Sequence, residues 1–476
     1  VVADRKTERL IALIVAAALF MQNLDSTVIA TALPTMARAF GADPVHMNVA
    51  LTAYLFAVAL FVPASGWMAD RFGTRQVFRA AIAVFTLGSV LCGRAETLPF
   101  LVASRIVQGA GGAMMLPVGR LILLRSVPKA RLVAAMAWVT MPALVGPVLG
   151  PPVGGFIVQY ANWRWIFDIN VPIGLAGIAM ASAFVPDARE APPGRFDFVG
   201  LVLSGATLAA FLAVLELVGR GIVADWQVGA IGVAAVACGG LYALHARGQD
   251  RPLLDFSLMR LPSFAISVLA GSLFRVGVGA VPFLLPMMLQ LGFGRSAVQS
   301  GSITFAAAAG AMVSKPGIQF LLRWAGFRNV LVVNGVIGGL GLGLYAAFRP
   351  DWPVWWLFGV LLVTGYLRSV QFTAYNSIAY AEVPAARMSA ATTLYSALQQ
   401  ISLTIGIPIG AGVLHLVRAG HAIPRPADFS VAFLVVAAIS VLSGPASLLL
   451  PRNAGAEMSG RREVEPVLEQ RAGMAK

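Results

Sequence analysis

The chain has two cysteines, Cys92 and Cys238, among 476 residues. Two thiols exclude a disulfide framework and a cysteine-built zinc site. Histidine is nearly as scarce: His46, His245, His415 and His421 share no metal-ligand spacing, and no G-x-S-x-G nucleophile turn occurs. These gaps argue against a metalloenzyme or hydrolase, and the chain is read as a non-enzyme with no cofactor. Charge is sparse as well, at 12%, against roughly 25% in a soluble domain. Acidic residues are the scarcer sign, 21 against 35 basic.

What is present is apolar. Hydrophobic residues make up 58% of the chain, and runs of about 20 of them recur along its length, the pattern of an all-α polytopic membrane protein. Hydropathy predicts fourteen spans, at 10–33, 48–69, 77–93, 98–123, 132–158, 165–185, 197–218, 226–245, 263–290, 297–321, 329–348, 353–380, 387–415 and 429–450. The net charge of +14 would suit nucleic acid, but its placement suits a bilayer instead. Lys and Arg concentrate in the two tails and the even-numbered loops, so both termini are expected on the cytoplasmic side. The first span is long and lacks a small-residue cleavage site, so no cleaved leader is expected.

The thirteen residues Gly66–Phe78 join the second and third spans through a charged turn. Gly66 is read as a close helix contact and Gly73 as the residue of a sharp reversal. Asp70, Arg71 and Arg75 mark the water side. Gly73-Thr74-Arg75-Gln76-Val77 is echoed by Gly326-Phe327-Arg328-Asn329-Val330, 253 residues on, which suggests an internal duplication. Residues 186–195 and 245–260 read as linkers around two spans that have no counterpart in the echo. The predicted organisation is a six-helix bundle over 1–185, two additional helices within 186–262, a second six-helix bundle over 263–450 and a polar tail at 451–476.

Charge inside the spans carries the chemistry. Asp25 lies deep in the first span, where a carboxylate costs about 2.5–3.5 kcal/mol and should face the protein interior. Burial favours the neutral acid, which makes the residue a candidate proton carrier. Arg105 sits at nearly the same depth in the fourth span, so the two can pair, and Gln108 follows one turn later. A fixed architectural ion pair is the competing reading. Gly109-Ala110-Gly111-Gly112 lacks a preceding strand and reads as helix packing rather than a nucleotide loop.

In the fifth span Gly146, Gly150 and Gly154 recur at i, i+4 and i+8, with Gly155 beside them, giving one smooth face on a helix interrupted by Pro147, Pro151 and Pro152. At the start of the sixth span Asp168 stands one turn past Arg164, which favours a local ion pair over a second titrating site. Glu216 and Arg220 form a similar pair. The second half carries Arg275 and Arg368 near mid-depth with no mid-span carboxylate to balance them. Lys315 lies nearer a span end, where it can snorkel. With Gln22, Gln371, Tyr375, Asn376 and Gln399, the two arginines are candidates to bind substrate. They could offer a cationic wall to an organic anion or metal–carboxylate complex, or be satisfied by carbonyls and amides.

Together these stretches resemble the major facilitator superfamily, specifically its fourteen-span drug:proton antiporter family. Leu24-Asp25-Ser26-Thr27 through Ala32-Leu33-Pro34 resembles its first-span motif, and Gly66–Phe78 its cytoplasmic loop. Arg105, Gln108 and Gly109 resemble the fourth-span motif, Gly146–Gly155 the fifth-span exporter motif and Trp163–Gly174 the sixth-span signature. Ala30 and Asp168 depart from the pattern, where asparagine and an apolar residue are usual. The resemblance implies two six-helix bundles around a central cavity, with two extra helices outside. It implies export of small molecules, multidrug efflux in particular, by rocker-switch alternating access with protons as the coupling ion. Asp25 and Arg105 would carry that coupling. Asp70, Arg71 and Arg75 would latch the cytoplasmic side. The expected setting is the bacterial inner membrane, as a monomer with no nucleic-acid partner.

Overall fold

A computed structural model describes residues 5–126, 146, 149–186, 196–217, 224–249, 252–384, 387–418, 424–451 and 453–455. Among them the structure is helical, with no strand. Helix α1 (Arg5–Phe40) is followed by α2 (Asn48–Phe61), the short α3 (Ser65–Phe72), α4 (Thr74–Gly93) and α5 (Leu98–Ser126). Helix α6 covers 149–160. Next come α7 (Trp165–Asp168) and α8 (Asn170–Phe184), then the pair α9 (Phe198–Leu217) and α10 (Asp225–Arg247). The second half holds α11 (Pro262–Met287), α12 (Ala297–Val313), α13 (Lys315–Gly343), α14 (Val354–Ile378), α15 (Met388–Val417), α16 (Pro426–Val441) and the short α17 (Ser443–Ala446).

Twelve described helices are long and apolar enough to cross a membrane, and Ala297–Val313 is a shorter apolar one. Of the predicted fifth span, only Gly146 and 149–158 are described. Two expected boundaries shift. The first helix runs on to Phe40, past Pro34. The tenth span stops at Val313 rather than 321. Pro316, at the first positions of α13, cannot donate to a preceding turn, so a new helix starts there.

The two matched turns share their geometry. Gly73 (φ 91°, ψ 142°) breaks the chain between α3 and α4, and Gly326 (φ 75°, ψ 160°) breaks α13 the same way. Both values need glycine. The correspondence extends further. A Cβ on Gly109 would stand 2.6 Å from the Tyr54 carbonyl oxygen, and one on Gly365 2.0 Å from that of Ala307. Tyr54 and Ala307 are again 253 residues apart, and the two glycines 256. The backbones of α2–α5 and α12–α14 therefore approach in one pattern, through glycines that let helices touch.

Helices α9 and α10 pack on each other, with Gly239 against Thr207. Leu208 and Leu212 rest beside Ala59, Ile401 and Ile405, so the pair touches both halves. The remaining faces expose Phe198, Val202, Trp226, Val233 and Val236, as helices surrounded by lipid do.

The core is continuous at one end and divided at the other. Near the Asp43 loop, Leu33, Met36 and Met47 join Phe283, Met288 and Phe429 in a single cluster. Near the Gly73 turn, Val77, Phe78 and Ile122 form one cluster, and Ile318, Phe327 and Ile378 form another.

Candidate functional site

Asp25 is 2% exposed, and Arg105 and Gln108 are fully buried. α1 carries Asp25 inward, and α5 presents Arg105 and Gln108 on one face, three residues apart. The Arg105 guanidinium donates from Nη1 to Asp25 Oδ2 at 2.7 Å and to Gln108 Oε1 at 2.5 Å. Its Nε donates to the Ala50 carbonyl at 3.2 Å. The ring of Tyr54 lies 4.3 Å from the guanidinium carbon, a cation–π contact. Gln108 Nε2 donates to Asp25 Oδ1 at 2.8 Å and to Ser89 Oγ at 2.7 Å. Asn170, the first residue of α8, completes the nest: its Nδ2 donates to Asp25 Oδ1 at 2.9 Å and to Ser89 Oγ at 3.1 Å.

Asp25 thus accepts three hydrogen bonds in a site closed to solvent. A buried ion pair survives desolvation only when its remaining lone pairs are also bonded, and this carboxylate meets that condition. Arg105 Nη2, Asn170 Oδ1 and the Tyr54 hydroxyl have no hydrogen-bond partner among the described residues. They are polar groups at hand to re-pair if Asp25 takes a proton. Gln22 lies nearby: a Cβ on Gly112 would meet its Nε2 at 3.4 Å and the Tyr54 hydroxyl at 2.9 Å.

Sequence reasoning brought Asp25, Arg105 and Gln108 together but passed over Asn170, Ser89 and Tyr54. Asn170 belongs to the Trp163–Gly174 stretch, where Asp168 drew attention by its charge. Asp168 does not pair with Arg164. It faces Arg94 at 3.8 Å, while Arg164 donates to the Ala95 carbonyl at 2.9 Å and stacks on Trp163. The turn itself is formed, with the Asp168 amide on the Arg164 carbonyl at 3.2 Å; what separates the pair is that the Arg164 side chain is committed to the Ala95 carbonyl and the Trp163 ring. Arg220 and the Glu216 side chain lie outside the described residues.

The glycine face of α6 lies against α1. A Cβ at Gly146 would meet Asn23 Cβ at 3.0 Å, one at Gly150 Thr27 Oγ1 at 1.9 Å, and one at Gly154 Thr31 Oγ1 at 2.4 Å. The three glycines thus track Asn23, Thr27 and Thr31, four residues apart on the Asp25 helix. Gly155 turns to the other half: its Cβ would stand 2.5 Å from the Ala297 carbonyl of α12. Pro147 lies outside the described residues.

In the charged turn, Gly73 holds its expected reversal, and its amide closes α3 onto the Ala69 carbonyl at 3.0 Å. Gly66 makes no close contact among the described residues; a Cβ there would meet none of them within 4 Å. Asp70, Arg71 and Arg75 lie on either side of Gly73, at the end of the bundle where the core is divided.

The second half departs from the predicted wall. Arg275, 1% exposed, is held by neutral partners: it donates to the Tyr395 hydroxyl and at 3.4 Å to Asn376 Oδ1, and lies against the Phe372 and Tyr395 rings. Gln371 donates to the Leu331 carbonyl at 3.0 Å and accepts from Asn334 at 2.8 Å. The Tyr375 hydroxyl engages Ser443 O at 3.2 Å and Ser447 Oγ at 2.8 Å. Gln371 and Tyr375 are therefore turned toward α13 and α17 and fully buried. Gln399 is half-buried. Lys315 reaches Thr373 Oγ1 at 3.2 Å. Arg368 is half-buried and borders a small cavity with Tyr345 and Thr364.

The two halves meet through polar contacts near the Asp43 loop. Arg418 pairs with Asp43, and the His46 and His415 rings stack with centroids 6.0 Å apart. Gln290 Nε2 donates to the Thr31 carbonyl at 3.0 Å, and the Val298 amide to Gln159 Oε1 at 3.3 Å. The Asp43 carboxyl is pushed up by burial, but the Arg418 guanidinium and the Val45 amide outweigh that and hold it below the usual carboxylate range.

Comparison with known proteins agrees with this architecture. The chain is 40% identical over 403 residues, 84% of either chain, to the Serratia proteamaculans (strain 568) protein named "Putative multidrug resistance protein MdtD". It is 38% identical over 416 residues, 86% of this chain and 87% of the relative, to the protein of the same name from Salmonella heidelberg (strain SL476). Among solved structures, a D-xylose-proton symporter superposes with a TM-score of 0.67 at 15% identity, covering 94% of this chain and 98% of that one. A POT family transporter in complex with 5-aminolevulinic acid gives 0.70 at 14% identity, covering 94% and 96%. At such identities these two carry the fold alone. The model of the Major Facilitator Superfamily matches residues 15–407, and with that match, the relatives and the multi-pass helical architecture, this chain belongs to the Major Facilitator Superfamily of membrane transporters.

Proposed function

We propose that this chain is a proton-coupled exporter of small molecules, a drug:proton antiporter of the bacterial inner membrane with both termini in the cytoplasm. The observation that carries the reading is the buried Asp25–Arg105 pair, 2.7 Å apart with side chains 1% and 0% exposed. A carboxylate sunk this deep in a membrane bundle is functional by default, and the relatives' printed name supplies the cargo class.

The joined core near the Asp43 loop and the divided core near Gly73 fit a transporter closed outside and loosened inside. In that state Asp25 is charged and Arg105 is committed to it. Once the bundles have rocked open to the outside, a proton entering there neutralises Asp25 and removes the counter-charge. Arg105 then keeps Gln108, the Ala50 carbonyl and the Tyr54 ring, and the cost of its unpaired charge biases the rocking of the 1–185 and 263–450 bundles. The glycines Gly146, Gly150 and Gly154, laid along the Asp25 helix, transmit the shift. Asp70, Arg71 and Arg75 latch the inner side in the opposite state. The membrane potential adds about 2.3 kcal/mol per charge per 100 mV. The transporter works as a monomer and needs no cofactor beyond the proton.

The test is drug uptake into inverted vesicles that hold the chain at an imposed pH gradient. A fluorescent drug should accumulate, and nigericin, by collapsing the gradient, should stop accumulation. Accumulation that survives collapse of both pH gradient and potential would sink the proposal.

A further inference from the structure

The shift that relates the two glycine turns also says what stands in the second half where the first has its polar nest. A shift of 253 residues carries Asp25 to Val278, Ser89 to Leu342 and Tyr54 to Ala307. The 256-residue shift of α5 onto α14 carries Arg105 to Leu361, Gln108 to Thr364 and Gly112 to Arg368. The helix contacts bear out the register. A Cβ on Gly88 would meet the backbone of Gln108, and one on Gly341, 253 residues on, would meet Thr364 Cγ2 at 3.0 Å.

The carboxylate, its arginine and its serine have thus all become apolar, and an arginine has entered one turn further along α14. Val278, Leu342, Thr364 and Arg368 border the same cavity, with Phe274 and Tyr345. Arg368 has no hydrogen bond or ion pair among the described residues. Thr364 Oγ1 donates to the backbone, to Val360 O at 2.9 Å or Leu361 O at 3.1 Å. Tyr345 meets Thr364 Oγ1 at 2.5 Å. Both hydroxyls are engaged, which leaves the guanidinium as the donor with capacity to spare. Arg275 meets its charge with neutral acceptors; half-buried Arg368, at mid-span with neither such acceptors nor a carboxylate beside it among the described residues, is open to a counter-charge. The cavity of about 20 Å³ admits one water-sized occupant.

We propose that the Arg368 cavity binds one small monovalent anion, a halide such as chloride, which stands in for the carboxylate that Val278 replaces. The site is separate from the Asp25 nest and does not depend on proton coupling. The anion compensates Arg368 and ties α14 to α11 and α13.

The test is thermal unfolding of the purified full-length protein at fixed ionic strength, in sodium gluconate, chloride, bromide or acetate. Gluconate is too bulky for the cavity. Chloride and bromide should raise the midpoint saturably, by about 2 °C or more, over gluconate. Arg368→Gln removes the cation and should abolish the response. Val278→Asp supplies the carboxylate in place, and should give a midpoint that no longer depends on halide. If Arg368→Gln does not fold, Val278→Asp decides alone. A wild type that ignores halide, or variants that respond as the wild type does, would overturn the proposal. Acetate matching chloride would overturn the halide assignment and give the site to the carboxylate of a larger ligand.

Discussion

The Asp25 nest and the Arg368 cavity occupy matching places in two halves that share a backbone plan. In the first, every charge has a partner: Asp25 accepts from Arg105, Gln108 and Asn170. In the second, the only charged group among the described residues bordering the cavity is Arg368, and its neighbours are Val278, Leu342 and Phe274. Helix approach is held by glycines in both, so the backbone tolerates two quite different interiors. The difference teaches that chemistry in this fold is set by a handful of side chains on common helix contacts, and that of these two places only the Asp25 nest holds a carboxylate among the described residues.

The largest expected effect separates the two arginines. Arg105→Met strands a buried carboxylate and should cost about 3–5 kcal/mol, read as a loss of thermal stability or of folded yield. Arg368→Met in halide-free buffer strands no partner and should be close to neutral. Equal losses would break the comparison. A smaller effect tests the shared backbone. Gly109→Ala and Gly365→Ala each drive a methyl into a carbonyl, at 2.6 and 2.0 Å, and each should cost about 1–3 kcal/mol. One tolerated and one lethal would mean that the halves do not correspond there.

The smallest effect concerns the tie between the halves. The Asp43 carboxyl, held below its usual range in the fold, contributes stability that is complete above the ordinary carboxylate range and fades as pH falls through the lowered value. Asp43→Asn should therefore lose about 1 kcal/mol or less near neutral pH, and the loss should shrink to nothing in acid. A difference that grows in acid would contradict this assignment.

Much of the fold was legible because apolar runs and their charged punctuation are hard constraints in a bilayer. Asp25 and Arg105 stood out for the same reason, and helix rise alone put them at one depth. What was not legible is the direction each neutral polar residue faces. Asn170 and Ser89 join the nest, whereas Gln371 and Tyr375 turn to backbone and hydroxyl partners on α13 and α17. All four are ordinary polar residues in apolar runs, and only packing decides their rotation. Gly66 and Gly73 make the same point for glycine: the positive φ at Gly73 was predictable from a charged reversal, while contact at Gly66 depended on a neighbour that none of the described residues supplies. The end of α12 at Val313 was written in Pro316, but hydropathy averages across such breaks.

The most direct measurement compares two assays of Asp25→Asn in proteoliposomes. Counterflow exchanges labelled for unlabelled drug with no net proton movement, so the variant should retain it. Uphill accumulation on an imposed pH gradient should fall to background. Wild-type accumulation by Asp25→Asn would contradict the claim that this carboxylate couples protons to transport.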